Sequence, residues 1–276
     1  MSDYIKIVKN EISKWENEGP GFLSQVGYWI LWPVEKNGEE IIPQGVQDAG
    51  GKAVESALGG LSNTANLTIN QTEVKARVSS YFSQYNDEIK SCDEASKHYW
   101  NYHLGYAVIE GGALGAGGLA SLAADIPALF SMSFRLIQEI SLCYGYDIET
   151  EEEKEYMMHI LRVGSTCDVK AKMEFIICMK QIEELLIKVT WKKMSTSLVK
   201  REISKLSLIA ALRNFAKSLG IQVTKRKALQ MIPMVGALVG ASFNYAFIND
   251  VGKAAHMSYR RRKISELEKL SPNQIN

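Results

Sequence analysis

Apolar residues recur at helical spacing along most of the chain. In residues 3–18, Ile5, Val8, Ile12 and Trp15 share one face, and Gly19-Pro20-Gly21 then stops the pattern. Residues 22–32 are apolar and aromatic, and 33–43, with Asn37-Gly38 at their centre, read as a loop. Residues 44–58 are helical in pattern, and 63–70 are polar. Val74, Val78, Tyr81, Phe82 and Tyr85 predict a helix over 71–91. Residues 94–110 run into the glycine-rich Gly111–Gly118, and Asp125-Ile126-Pro127 opens a helix to about Cys143. Tyr144-Gly145-Tyr146-Asp147 predicts a turn. Thr150, with Glu153 three residues on, is a capping box for a helix to about Val163. Residues 168–194 and 199–218 predict long amphipathic helices, and 228–270 a last helical stretch with Pro233 near its start.

No segment sustains strand-like alternation with hairpin chemistry. The pattern therefore predicts an all-α, multi-helix bundle, with room for one short strand near 105–109. Gly111/Gly115 and Gly236/Gly240 share a spacing that lets helices approach closely in its centre. Two parts are expected: N-terminal helices and a loop over 1–43, and a main helical domain over 44–276.

Composition narrows the class. Of 276 residues, 46% are hydrophobic and only 6 are proline, which argues against a disordered chain. A mean hydropathy of −0.11 argues against a polytopic membrane protein. Cys92, Cys143, Cys167 and Cys178 have no C-x-x-C spacing. Met1–Lys6 lack the order of a signal peptide. We therefore expect a reducing, cytoplasmic setting with buried cysteines.

The net charge of +1 hides an asymmetry. Residues 1–184 carry 15 basic and 27 acidic side chains, and residues 185–276 carry 17 and 4. The first block is therefore −12 and the second +13. Lys225-Arg226-Lys227 and Arg260-Arg261-Arg262-Lys263 bracket an uncharged run, Ala228–Asn249. As a helix this run would be roughly 33 Å long, close to the hydrocarbon thickness of a bilayer. Its Gln230, Pro233, Gly236, Gly240, Ser242, Asn244 and Asn249 favour a buried core helix over a span. Gly19–Val34 is a second uncharged run, with Trp29 and Trp32 suited either to a headgroup boundary or to a packed helix. Basic clusters flanking an apolar segment suit anionic lipid better than nucleic acid.

A family resemblance rests on two motifs. The first is Asp125-Ile126-Pro127-Ala128-Leu129, then Arg135, Gln138-Glu139-Ile140 and Tyr144-Gly145-Tyr146-Asp147. The second is Ile232–Ala237, then Asn244, Val251-Gly252 and Ala254-Ala255. Over about residues 40–265 the chain resembles the EcsC family, named for a bacterial operon that also encodes an ABC transporter. The resemblance implies a helical, bacterial, cytoplasmic or membrane-associated protein and carries over no catalytic residue.

Candidate chemistry is sparse. Asp125 reads as a helix cap beside Pro127, with a buried charge that binds a cation or partner as the other reading. Arg135 and Glu139 are four apart and can pair. With Asp125, Gln138 and Asp147 they form a candidate polar network or pocket. Gly115-x-Gly117-x-x-Ala120 fits a loose dinucleotide fingerprint but needs a strand before it. His98 and His103 are five apart, and Glu155 and His159, four apart, could share a metal or simply pair; without a set at E-x-x-H spacing we expect no metal and no cofactor. The expected function is non-enzymatic. The protein would associate peripherally with an anionic membrane, or a membrane protein complex, at the inner face of the membrane. The contacts would be Trp29, Trp32, Lys225, Arg226, Lys227, Arg260, Arg261, Arg262 and Lys263. A soluble protein–protein interaction module is the alternative, and an enzyme or lipid-ligand pocket near Asp125, Arg135 and Glu139 is the third reading. Nucleic acid is not an expected partner, and the oligomeric state is left open.

Overall fold

The computed structural model describes residues 3–19, 69–115, 122–165, 236–270 and single positions between 172 and 183. Among the described residues every regular element is a helix. We label them α1 (Asp3–Asn17), α2 (Gln71–Tyr85), α3 (Glu88–Gly115), α4 (Leu122–Cys143), α5 (Glu151–Ser165) and α6 (Gly236–Leu270).

The core forms around α6. It runs antiparallel to α3, with Lys263 paired to Glu88, Arg260 to Asp93 and His256 to Ser96. Helix α4 runs back along α3. Phe130 meets Phe247 at one end of α4, and Tyr144 reaches Asp93 and Tyr259 at the other. Helix α5 packs antiparallel to α6 and crosses it at Gly164. A β-carbon there would stand 2.5 Å from the Val251 Cα. Only a hydrogen in that place lets the two backbones touch. Gly252 is the matching device against α3, because Trp100 fills the space a side chain would take. These contacts at Gly164 and Gly252 are the described close approaches; the surroundings of Gly115, Gly236 and Gly240 lie outside the described residues.

Local chemistry explains the helix ends. Asn86 takes a left-handed φ of 49°, and the Asp87 carboxylate accepts the Lys90 N–H at 2.9 Å. The helix expected over 71–91 is therefore two helices, because Asn tolerates that φ and Asp caps the next first turn. Helix α3 continues to Gly115, so residues 105–109 are helix and not the strand allowed by the sequence. The dinucleotide fingerprint loses its required strand with them. Helix α4 runs through Pro127, so Asp125 sits inside it and does not cap it. As the sixth residue of the helix, Pro127 forgoes the i→i−4 bond to the Ala123 carbonyl, a cost the surrounding packing offsets. At the other end Gly145, with φ 85°, closes the turn as expected.

Candidate functional site: the buried polar spine of α6

Four successive residues, Arg260 to Lys263, carry the densest charge on α6. Successive helix residues point about 100° apart, so four of them face in all directions. Each finds a different carboxylate. Arg260 lies 2.6 Å from Asp93 and 2.5 Å from Glu11. Arg261 pairs with Glu16 at 2.6 Å and Glu183 at 2.5 Å. Arg262 pairs with Glu153 at 2.6 Å and lies over the Tyr146 ring, 3.8 Å from its centroid. Lys263 reaches Glu88 at 2.7 Å. The three arginines point into the fold, which corrects the expectation of an exposed basic patch at 260–262. Desolvation works against each guanidinium's charge, but the paired carboxylates hold all three above their ordinary range.

The network continues inward. Asp93 is fully buried and accepts from Tyr144 at 2.6 Å and Tyr4 at 2.5 Å. His256 Nδ1 is hydrogen-bonded to Ser96 at 2.7 Å and lies 3.2 Å from the Tyr144 hydroxyl. Burial and then the Arg260 charge push this imidazole well below its ordinary value, so it is neutral. Glu153 also accepts from Tyr259 at 2.7 Å. Its backbone N–H meets Thr150 Oγ1 at 3.2 Å, the forward half of the expected capping box. Its carboxylate does not return to the cap, because Arg262 and Tyr259 offer stronger, drier bonds.

A second cluster lies on α3 and α4. Glu139 binds Arg135 Nε at 3.1 Å through one oxygen and His103 Nε2 at 2.7 Å through the other. Gln138 is fully buried beside it. Asp147 is elsewhere and exposed. Its carboxylate accepts the Glu149 N–H at 3.0 Å and shapes the turn before α5, so it leaves the expected network. The Asp125 side chain, Trp29, Trp32, Lys225, Arg226 and Lys227 lie outside the described residues.

The reactive side chains are quiet. Burial pushes the Cys92 thiol up to about 12 and that of Cys143 well above its ordinary range, so neither is a ready thiolate. No His/Cys/Asp/Glu group able to hold a metal occurs among the described residues. No described helix is long and apolar enough to cross a membrane. Sequence reading missed the spine because Tyr4, Asp93, Tyr144 and His256 are far apart along the chain. The one available signal was the 100° spacing of Arg260–Lys263, which forbids a single shared face.

Comparison with known proteins places the chain in a family. The model of the EcsC protein family matches residues 6–264, from α1 into α6. The match begins earlier than the resemblance did, so it takes in the helix whose Glu11 and Glu16 pair with the arginines. The protein YdbA of Bacillus subtilis (strain 168) is 25% identical over 270 residues, 93% of this chain and 91% of YdbA. Protein EcsC of the same organism is 24% identical over 160 residues, 58% of each chain. No solved structure matches.

Proposed function

The chain belongs to the EcsC protein family, and on that premise we propose that it is a non-catalytic helical protein. It associates peripherally with a membrane, or with a complex held in one. One observation carries this reading: charge is segregated along the helix pair at the centre of the fold. Helix α3 has Glu88, Lys90, Asp93, Glu94 and Lys97 in its first part and then no Asp, Glu, Lys or Arg until Glu110. Helix α6 has none from Gly236 to Asn249 and is densely charged after it. Because the two helices are antiparallel, both uncharged parts lie at one pole. Helix α4 adds Ile126–Phe134, also uncharged, at the same pole. An end whose helices carry only Glu110 and Asp125 as formal charges, on an otherwise densely charged protein, suits the low-dielectric edge of a bilayer.

Vesicle flotation tests the reading. The protein is expected to rise with neutral as well as anionic vesicles and to stay bound at about 0.5 M salt, where screening is strong. Recovery only at the bottom of the gradient with every vesicle would sink it. Recovery with anionic vesicles alone, lost in salt, would move the contact to Lys225, Arg226 and Lys227 and end the uncharged-pole version.

A second reading has its own observation. The ion pairs of Arg260–Arg262 join the basic C-terminal part to the acidic earlier part, so part of the opposed charge is used internally. This favours a protein–protein interaction module that purifies without detergent and ignores vesicles.

A further inference from the structure

Five cations from other parts of the chain converge on α1 and the residue that follows it. Glu11 meets Arg260 at 2.5 Å, and Glu16 meets both Arg261 at 2.6 Å and Lys180 at 2.7 Å. Glu18 meets Lys253 at 2.7 Å. Lys172 is buried, and its ammonium donates to the main-chain carbonyls of Trp15 and Glu18, each at 2.8 Å. Carbonyls at a helix C-terminus lack partners within the helix, and a cation there also suits the helix dipole. The apolar side of α1 is small by comparison. Val8 and Ile12 join Ile89 of α3 and Ile264 of α6 in a cluster apart from the main core, and Trp15 alone of the α1 residues belongs to that core.

Arg260 and Arg261 each hold two carboxylates, one inside the fold and one on α1. Arg260 has Asp93 within and Glu11 without; Asp93 is fully buried, whereas the Glu11 side chain is 50% exposed. Arg261 has the buried Glu183 within and Glu16 on α1. A guanidinium has five N–H donors, so one carboxylate does not exhaust it. When α1 lifts away, Asp93 and Glu183 still hold the two arginines in place, and their outer donors are open to another carboxylate. A helix that packs on a small separate cluster also opens more readily than the helices of the main core.

We infer that the groove beneath α1 is a binding site for an acidic amphipathic helix of a partner protein, and that α1 fills it until that partner arrives. The site sits at the charged pole and depends on neither reading above. Two observations select a helix. Lys172 binds main-chain carbonyls at a helix end, a feature a second helix reproduces. The groove also has little excess charge. Lys172, Lys180, Lys253, Arg260 and Arg261 stand against Asp93, Glu183, Asp250 and Glu268. That balance favours carboxylates at set positions over a uniformly anionic surface. The required pattern is the one α1 displays: carboxylates at positions 11, 16 and 18, with apolar side chains at 8, 12 and 15.

The test uses the full chain and a fluorescent synthetic helix. The peptide keeps the equivalents of Val8, Glu11, Ile12, Trp15, Glu16 and Glu18 and has alanine or glutamine elsewhere. The variant Glu11→Lys/Glu16→Lys sets like charges against Arg260 and Arg261 and so releases α1. Its residues 3–17 are expected to exchange amide hydrogens quickly while α3 and α6 stay protected. It is expected to bind the peptide at least about tenfold more tightly than the parent, in which α1 competes. A peptide with glutamine in place of its carboxylates is expected to lose about tenfold.

A measurement on the parent holds even where that variant does not fold. Peptide at about 1 mM, the order of a tethered helix's effective concentration, is expected to speed exchange in residues 3–17 and nowhere else. Unchanged exchange there overturns the proposal. So does equal binding of the peptide to the parent and the folded variant, or equal binding of a scrambled peptide of the same composition. If phosphatidylglycerol vesicles speed exchange in α1 and the peptide does not, the occupant is an anionic headgroup, which overturns it as well.

Discussion

Arg262 and Glu153 form an ion pair of 2.6 Å whose side chains are only 6% and 5% exposed. Each is held further: Glu153 by Tyr259, Arg262 by the face of Tyr146. Removing one partner leaves the other buried and unpaired. Glu153→Ala and Arg262→Ala are each expected to cost about 3–5 kcal/mol. The double variant Glu153→Leu/Arg262→Met is expected to cost less than either, because no buried charge remains. Chemical denaturation of the three variants checks both statements.

Two glycines are expected to respond in opposite directions. Gly164→Ala pushes a β-carbon against the Val251 backbone, which has no side-chain freedom with which to yield. A loss of about 1–3 kcal/mol is expected. Gly105 lies within α3 with nothing within 4 Å of a β-carbon. Gly105→Ala is expected to gain about 0.5–1 kcal/mol, since alanine loses less chain entropy in a helix. Thermal melts of the two variants give the signs directly.

Asn244 is fully buried, and both its side-chain oxygen and nitrogen lack a hydrogen-bond partner. The amide pays its desolvation with nothing in return. Asn244→Leu, close in volume, is expected to raise stability by about 1–3 kcal/mol. An unchanged or lower melting temperature would show that the amide meets a partner in solution.

Stability is expected to fall in mild acid through two histidines. Burial, then the Arg162 charge, lowers His159 to about 4, and His256 lies well below its ordinary 6.5. Between those values and 6.5 the unfolded chain binds protons that the folded chain does not. Stability therefore rises with pH across that window and drops as pH falls from 6.5 toward 4, by about 1.4 kcal/mol per pH unit for each histidine. Glu155, raised by burial, opposes this near the low end of the window. Denaturation midpoints of the parent and of His159→Gln between pH 7 and 4.5 check the sign: the variant's profile is expected to be flatter.

Much of the fold could be read from the pattern alone. The face of α1 at Val8, Ile12 and Trp15 is buried as the spacing predicts, and the turn at Tyr144–Asp147 follows from its own residues. Both depend on local chemistry, which a sequence displays. The break at Asn86 and the continuation of α3 through 105–109 were harder. A single left-handed residue ends a helix without any loss of apolar periodicity. A valine–isoleucine pair joins a helix or a strand equally well until its neighbours decide. Arg135 and Glu139 were legible as a pair because helical spacing alone brings them together. His103, the third member, comes from another helix and carried no signal.

The sequence by itself determined an all-helical chain with an acidic first part and a basic last part, and where each uncharged run begins and ends. The direction in which the charge and the uncharged runs face was decided only by the tertiary structure. Arg260, Arg261 and Arg262 are adjacent in the chain but 100° apart around a helix, so what surrounds that helix settles the outcome. Carboxylates from α1, α3, α5 and position 183 surround it, and the arginines turn inward because a buried guanidinium is stable only beside them. The antiparallel packing of α3 and α6 that makes those pairs also gathers their charge-poor parts at one pole, where Tyr102, Tyr106 and Ile109 of α3 are exposed.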